Sequence, residues 1–148
     1  MTQEEKQLLL RELCARQFYK TKVLGPWKKD GPCELSAIDL TSDRQVRVFE
    51  DWYKIEEVKP YLRPVSSMTK EELDKLNEII SKEDHDGYFF VQEEPYYYGL
   101  QLQTSDIGCV TGAGLSKAFD YLNSIHVDYS GLIPNLALEA PEGMYKTE

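Results

Sequence analysis

The stretch that decides the fold is Lys59-Pro60-Tyr61-Leu62-Arg63-Pro64-Val65-Ser66-Ser67-Met68-Thr69, which continues into Lys70-Glu71-Glu72-Leu73. Each proline fixes its own φ angle and disfavours helix in the residue before it, so Lys59 and Arg63 are predicted to be extended. Thr69, followed three residues later by Glu72, is a capping box, which marks the start of a helix. The stretch is therefore predicted to be a stiff arm. It either links two packed parts of the chain or presents Tyr61 and Arg63 as a partner-binding surface.

Length and hydropathy point to a water-soluble protein with a core of its own. A chain of 148 residues can bury about 68–70% of its unfolded surface and needs no metal or disulfide to fold. No apolar run approaches the roughly 20 residues that cross a bilayer. The first residues lack the basic start and apolar centre of a signal peptide. We therefore expect a cytoplasmic protein with no membrane partner.

Charge is distributed unevenly along the chain. Residues 1–68 carry 12 basic and 11 acidic side chains, whereas residues 69–148 carry 5 basic and 15 acidic ones. No Lys or Arg lies between Lys82 and Lys117. This argues against direct nucleic-acid binding, because phosphates are neutralised by Lys and Arg. It favours either a partner with a basic surface or a simple solvated face.

The first half is predicted to be a helix followed by a small sheet. Thr2 and Glu5 form a second capping box ahead of a leucine stripe, which predicts a helix over 3–15. Apolar residues then alternate over 18–24, 33–40 and 45–52, between turns rich in glycine, proline and aspartate. Such short strands cannot be stable as a flat sheet. We expect a curled antiparallel sheet of the SH3-like class, with the helix covering an open end.

The second half is predicted to contain a helix, a β-hairpin and a C-terminal helix. Apolar residues spaced for a helix follow the capping box at Thr69 as far as Lys82. Residues 88–91 are an apolar strand candidate, Glu93-Glu94-Pro95 is a turn signal, and residues 96–103 alternate between two faces, which together predict a hairpin. The last helix has Leu115, Ala118, Phe119 and Leu122 on one stripe. The fold class is therefore α+β, with parts at 1–68 and 69–148 or a single compact domain overall.

The predicted hairpin carries a possible partner-binding surface. Tyr97 lies between two other tyrosines near its turn, beside Glu93 and Glu94. Tyrosine is enriched at protein interfaces because it combines a large contact area with a polar tip. The alternative is that these rings pack across the strands of the sheet.

A glycine-rich segment precedes the last helix and is a possible ligand-binding site. Gly112, Gly114, Ser116 and Lys117 could place free N–H groups at a helix start, where an anion binds well. The order of residues differs from a Walker loop, so a flexible helix start is the alternative. No cofactor is predicted.

Catalytic chemistry has little support in the sequence. Cys14, Cys33 and Cys109 match neither a zinc spacing nor a disulfide framework, and small buried side chains are the expectation for free cysteines. His85 and His126 are the two histidines, and neither can be paired with a thiol from sequence. The loop at 83–87 lacks the ligand order of an EF-hand. We predict no metal site and no enzyme activity.

Three passages resemble a known group of proteins. They are MTQEEKQLLL at 1–10 with 13–16, VKPYLRP at 58–64 with 66–69, and 119–123 with 128–129, 131–133 and LALEAPEGMY at 136–145. They are similar to small uncharacterised proteins encoded by phages and mobile elements of gut Bacteroidetes. The resemblance implies an accessory protein that acts on a host component, and it transfers no functional residue.

These observations predict a non-enzymatic protein-interaction or inhibitor protein that acts on a host protein. A small-ligand binder for a nucleotide signal is the first alternative. An acidic mimic of nucleic acid, whose carboxylates imitate phosphates, is the second.

Overall fold

The structure is a computed structural model that describes residues 1–27, 31–83, 88–92, 99–103 and 112–145. Within these ranges helices and strands are combined, so the predicted α+β class is confirmed. The helices are α1 (Gln3–Arg16), α2 (Lys70–Glu83) and α3 (Gly112–Ser124). The strands are β1 (Lys22–Leu24), β2 (Cys33–Ile38), β3 (Val46–Val48), β4 (Asp51–Tyr53), β5 (Lys59–Leu62), β6 (Tyr88–Gln92), β7 (Gly99–Gln103) and β8 (Leu138–Glu139). In this described part of the chain, no helix is both long and apolar enough to span a bilayer.

The chain divides into two compact units. Unit 1 contains residues 1–62 together with the described residues 132–145, and unit 2 contains residues 63–131. The predicted division between residues 68 and 69 differs from this one at two places. Residues 63–68 belong to unit 2, and the C-terminal segment belongs to unit 1 because β8 pairs with β5. Local sequence has no signal for this return, since it depends on a pairing between distant residues.

Unit 1 is built on a six-stranded sheet with the strand order β4-β3-β2-β1-β5-β8. The pairs are antiparallel except β5 with β8, which is parallel. Strand β2 contains an irregularity between Leu35 and Ala37, and a 3-10 turn at Ile55–Glu57 joins β4 to β5. The predicted small antiparallel sheet is therefore present, with a parallel edge strand that was not predicted.

Helix α1 follows its capping box as predicted. The Glu5 N–H donates to the Thr2 hydroxyl at 3.1 Å, and the Thr2 N–H donates to the Glu5 carboxylate at 2.7 Å. Leu9 and Leu13 are fully buried in the core of unit 1. Burying each leucine contributes roughly 1.5–3 kcal/mol, so these two residues tie the helix to its unit.

Two predicted strands are shorter than expected. Residues Gln17–Tyr19 form a 3-10 turn, and Phe18 exposes 84% of its surface. The predicted strand over 45–52 is two strands joined by a turn. Lys20 and Phe49 have φ angles of 55° and 56°. Glycine is the usual residue in this left-handed region, so neither turn has a sequence signal.

The arm that contains the two prolines is strand β5 and the start of unit 2, so it is not a free linker. Residues Lys59–Leu62 are extended, as predicted, and pair with both β1 and β8. The pairing with β8 begins at Tyr61, one residue after Pro60. A proline has no N–H to donate, and no residue of β8 lies opposite Pro60.

Unit 2 packs α2, α3 and the antiparallel pair β6–β7 around its own core. The Glu72 N–H donates to the Thr69 hydroxyl at 3.1 Å, as the predicted cap requires. The buried apolar residues are Val65, Leu76, Ile80, Phe89, Ala118, Leu122 and Val127. The two predicted hairpin strands are present, although residues 93–98 between them lie outside the described ranges. Phe119 departs from its predicted buried stripe, since it is 39% exposed.

Candidate functional site

Arg63, a predicted partner-binding residue, is engaged within unit 2. Its guanidinium contacts both carboxylate oxygens of Glu72, at 2.9 and 3.0 Å. It also donates to the hydroxyl and the carbonyl of Ser67, at 3.2 and 2.9 Å, and to the Ile125 carbonyl at 3.3 Å. Only 14% of the Arg63 side chain is exposed. This arginine therefore connects the start of α2 to the end of α3.

Tyr61, the other predicted residue of the arm, lies half-buried in unit 1. Its carbonyl accepts a hydrogen bond from the Tyr145 hydroxyl at 2.8 Å, and this hydroxyl accepts one from the Lys22 N–H at 2.8 Å. The hydroxyl thus bridges β1 and β5 where their register brings Lys22 opposite Tyr61. Burial raises the pKa of Tyr145 to about 12, so its proton is retained at neutral pH. The sequence analysis missed Tyr145, because no local pattern marks a side chain that inserts into a sheet.

The outer face of β6 presents two aromatic side chains. Strand residues alternate between the two faces of a sheet, and Phe89 and Val91 face the core of unit 2. Tyr88 and Phe90 therefore share the opposite face, with ring centroids 6.1 Å apart. Tyr88 exposes 52% of its surface. This pair, which we call the β6 aromatic face, is an apolar surface within the acidic part of the chain.

The structure describes only some of the other predicted site residues. Glu93, Glu94 and Tyr97 lie outside the described residues. Residues 112–117 form the first turns of α3, where Gly114 is buried and Ser116 and Lys117 are exposed.

A groove of about 510 Å³ lies on unit 1 beside the first half of α1. The residues that line the groove are mostly of polar or charged types, and they are Gln3, Lys6, Gln7, Leu10, Ser42, Asp43, Gln45, Lys54, Ile55 and Glu56. The Lys6 ammonium lies 2.7 Å from the Glu56 carboxylate. This hydrogen bond lowers the pKa of Glu56. Amides, a hydroxyl and charges of both signs can bind a small polar molecule, and the sequence analysis did not identify this groove.

Unit 1 also exposes several apolar side chains. Among the described residues, no contact between aromatic rings joins any two of them. Phe18, Leu40 and Phe49 are 84%, 65% and 62% exposed. Single exposed apolar residues are normal on protein surfaces. The β6 aromatic face differs because its two rings lie together.

The cysteines of the described chain are poorly suited to nucleophilic chemistry. Cys33 is buried in the core of unit 1, in agreement with the expectation for a free cysteine. Burial raises the pKa of the Cys14 thiol, which disfavours the reactive thiolate. Cys109 and His85 lie outside the described ranges. Within those ranges, no group of three or more His, Cys, Asp and Glu side chains could hold a metal ion.

No family model, curated protein or solved structure matches the chain.

Proposed function

We propose that the protein is a non-enzymatic interaction protein that binds a partner protein through the β6 aromatic face. The observation that carries this proposal is the exposure of Tyr88 beside Phe90, while Phe89 of the same strand is buried in the core and Val91 packs against it. Aromatic side chains that bury a large area provide much of the binding energy at protein interfaces. Glu93, Glu94 and Tyr97 are included in the proposed surface on the basis of sequence.

The proposed partner has a basic surface. The segment between Lys82 and Lys117 contains six acidic residues and no Lys or Arg, and its acidic residues are Glu83, Asp84, Asp86, Glu93, Glu94 and Asp106. Carboxylates near an exposed aromatic residue in the sequence suit a partner rich in arginine, which can form ion pairs and also stack on an aromatic ring. The proposed setting is the cytoplasm of a bacterial host, with the protein encoded by a phage or mobile element. The sequence resemblance supports this setting.

The test begins with a photoreactive phenylalanine analogue at position 88, which captures the partner from host lysate. The affinity of the purified partner is then measured for the wild type, Tyr88→Ser and Phe18→Ser. We expect Tyr88→Ser to weaken binding roughly thirtyfold, for a loss of about 2 kcal/mol. Phe18→Ser is the matched control, because it removes an exposed ring from unit 1. Equal affinity for all three proteins would contradict the proposal.

Charge reversal tests the chemistry of the partner. The double change Glu93→Lys and Glu94→Lys should slow association and reduce its dependence on salt, because opposite charges steer two proteins together. Association kinetics at low and high ionic strength provide the measurement. An unchanged salt dependence would show that these two carboxylates do not face the partner.

A small-ligand role is the second candidate, and the groove beside α1 favours it. Lys6 and Lys54 could bind an anionic group, and the glutamine amides could bind polar edges of a base or an amide. A thermal-shift screen against nucleotides tests it, since a ligand that binds only the folded state raises the melting temperature. A nucleotide that acts on the wild type should lose its effect in Gln7→Ala. If Lys117→Ala abolishes the effect and Gln7→Ala does not, the site is the predicted glycine-rich helix start.

We also propose that the sheet of unit 1 is a curled, SH3-like one. Three features support this: β2, β3 and β4 form a consecutive antiparallel set, a 3-10 turn precedes β5, and β5 returns to pair with β1. An experimental structure of residues 1–148 in which β1 to β5 form a flat, open sheet would contradict it.

A further inference from the structure

The outer edge of β6 is held by a side chain of α2. One edge of β6 pairs with β7, and the other meets the Asn77 amide. The Asn77 amide nitrogen donates to the Phe89 carbonyl at 3.0 Å, and the Phe89 N–H donates to the Asn77 amide oxygen at 2.5 Å. A side-chain amide has the same donor and acceptor as a peptide group. Asn77 therefore occupies the position that one residue of a neighbouring strand would take.

These contacts determine which backbone groups of β6 face outward. Both groups of Phe89 bind Asn77, so Phe89 and Leu102 are a pair that exchanges no hydrogen bonds across the hairpin. Such pairs alternate with hydrogen-bonded ones in an antiparallel ladder. The next pair of the same kind is Val91 with Leu100. The N–H and carbonyl of Val91 therefore point to the same outer edge as those of Phe89.

This edge is complementary to itself. If two copies of β6 lie antiparallel about Phe90, Phe89 of one copy is opposite Val91 of the other. Both residues have outward N–H and carbonyl groups, so each of the two Phe89–Val91 pairs could exchange two hydrogen bonds. The same pairing brings the two Phe90 rings together on one face, where cross-strand aromatic pairs stabilise a sheet. Unpaired strand edges are sites of such association.

We propose that Asn77 prevents a second copy of this chain from pairing with the outer edge of β6. The Phe89 N–H cannot donate fully to Asn77 and to another strand at the same time. Pairing therefore requires the Asn77 contacts to break first. This role concerns the backbone edge of β6, so it does not rest on the proposed binding of a partner by the aromatic face, although Phe90 belongs to that face.

Amide hydrogen exchange of the wild-type protein tests the orientation of the edge. We expect the Phe89 amide to exchange at least about tenfold more slowly than the Val91 amide, because within the described residues only the Phe89 N–H has a hydrogen-bond partner at this edge. The Phe90 amide, which faces β7, should be protected as well. Slow exchange of the Val91 amide, equal to that of Phe90, would overturn the proposal without any variant.

The second test removes the side-chain amide. Asn77→Ala should double the mass measured by light scattering at high protein concentration, relative to the wild type. Ser81→Ala, an exposed change on the same helix, should leave the mass unchanged. Adding Val91→Pro to Asn77→Ala should restore the wild-type mass, because proline removes the outward N–H. The proposal fails if folded Asn77→Ala keeps the wild-type mass, or if its dimer persists with Val91→Pro.

Discussion

Replacing Arg63 with methionine should lower the free energy of unfolding of unit 2 by about 3–5 kcal/mol. The Arg63 and Glu72 side chains are 14% and 9% exposed, and two hydrogen bonds of 2.9 and 3.0 Å join them. Methionine fills a similar volume but leaves the Glu72 carboxylate without its cation. Removing one member of a buried ion pair is costly because the remaining charge is poorly solvated. The Ser67 and Ile125 carbonyls lose donors in the same change.

The assay must report on unit 2 separately. Trp27 and Trp52 both belong to unit 1, so tryptophan fluorescence follows unit 1 and circular dichroism follows both units. Urea unfolding measured by both probes should show an earlier dichroism transition in Arg63→Met and an unchanged fluorescence transition. For a unit of this size, a loss of 3 kcal/mol corresponds to a fall of about 12–24 °C in melting temperature.

Two further variants decide whether the ion pair is the cause. Arg11→Met makes the same substitution at an exposed position of α1 and should change stability by less than about 0.5 kcal/mol. The double variant Arg63→Met, Glu72→Met should recover most of the lost stability, because it leaves no charge unpaired. If Arg63→Met is as stable as Arg11→Met but no longer binds the partner, Arg63 is a recognition residue and our structural reasoning about it is wrong.

Three other changes have defined outcomes. Tyr145→Phe removes the hydroxyl that bridges β1 and β5 and should lower the free energy of unfolding by about 1–3 kcal/mol. The Tyr145 pKa of about 12 lies above that of an unfolded tyrosine, so its contribution to wild-type stability is full below about pH 10 and is lost as pH rises through 12. Urea titrations of Tyr145→Phe should not show this loss of stability. Gly25→Ala would place a Cβ 2.3 Å from the Trp27 ring, so the ring must move. We expect a red-shifted tryptophan emission and a loss of about 1–3 kcal/mol in the free energy of unfolding. An unshifted spectrum would refute that contact. Thr69→Ala removes the cap of α2 and should cost about 1 kcal/mol in a denaturant titration, while Thr69→Ser should cost little.

Predictions from the sequence succeeded where the cause was local. The capping residues Thr2 and Thr69 specify the starts of α1 and α2. An apolar run predicted β6 and an alternating pattern predicted β7, and the buried cysteine of β2 followed from its residue type. A cap or an alternating pattern involves residues a few positions apart, so its physical cause can be read in one segment.

The tertiary structure alone decided features that depend on distant residues. The arm at 59–62 became a strand inside a sheet because β1 and β8 supply partners for its backbone. Arg63 is 9 residues from Glu72 and 62 from Ile125, and Asn77 is 12 from Phe89. No periodicity relates such residues, because a hydrogen bond between them exists only after the helices and strands have packed. Local sequence therefore determined where the helices begin and where most strands lie, whereas packing determined strand β8, which polar side chains are used inside the fold and which aromatic rings remain on its surface.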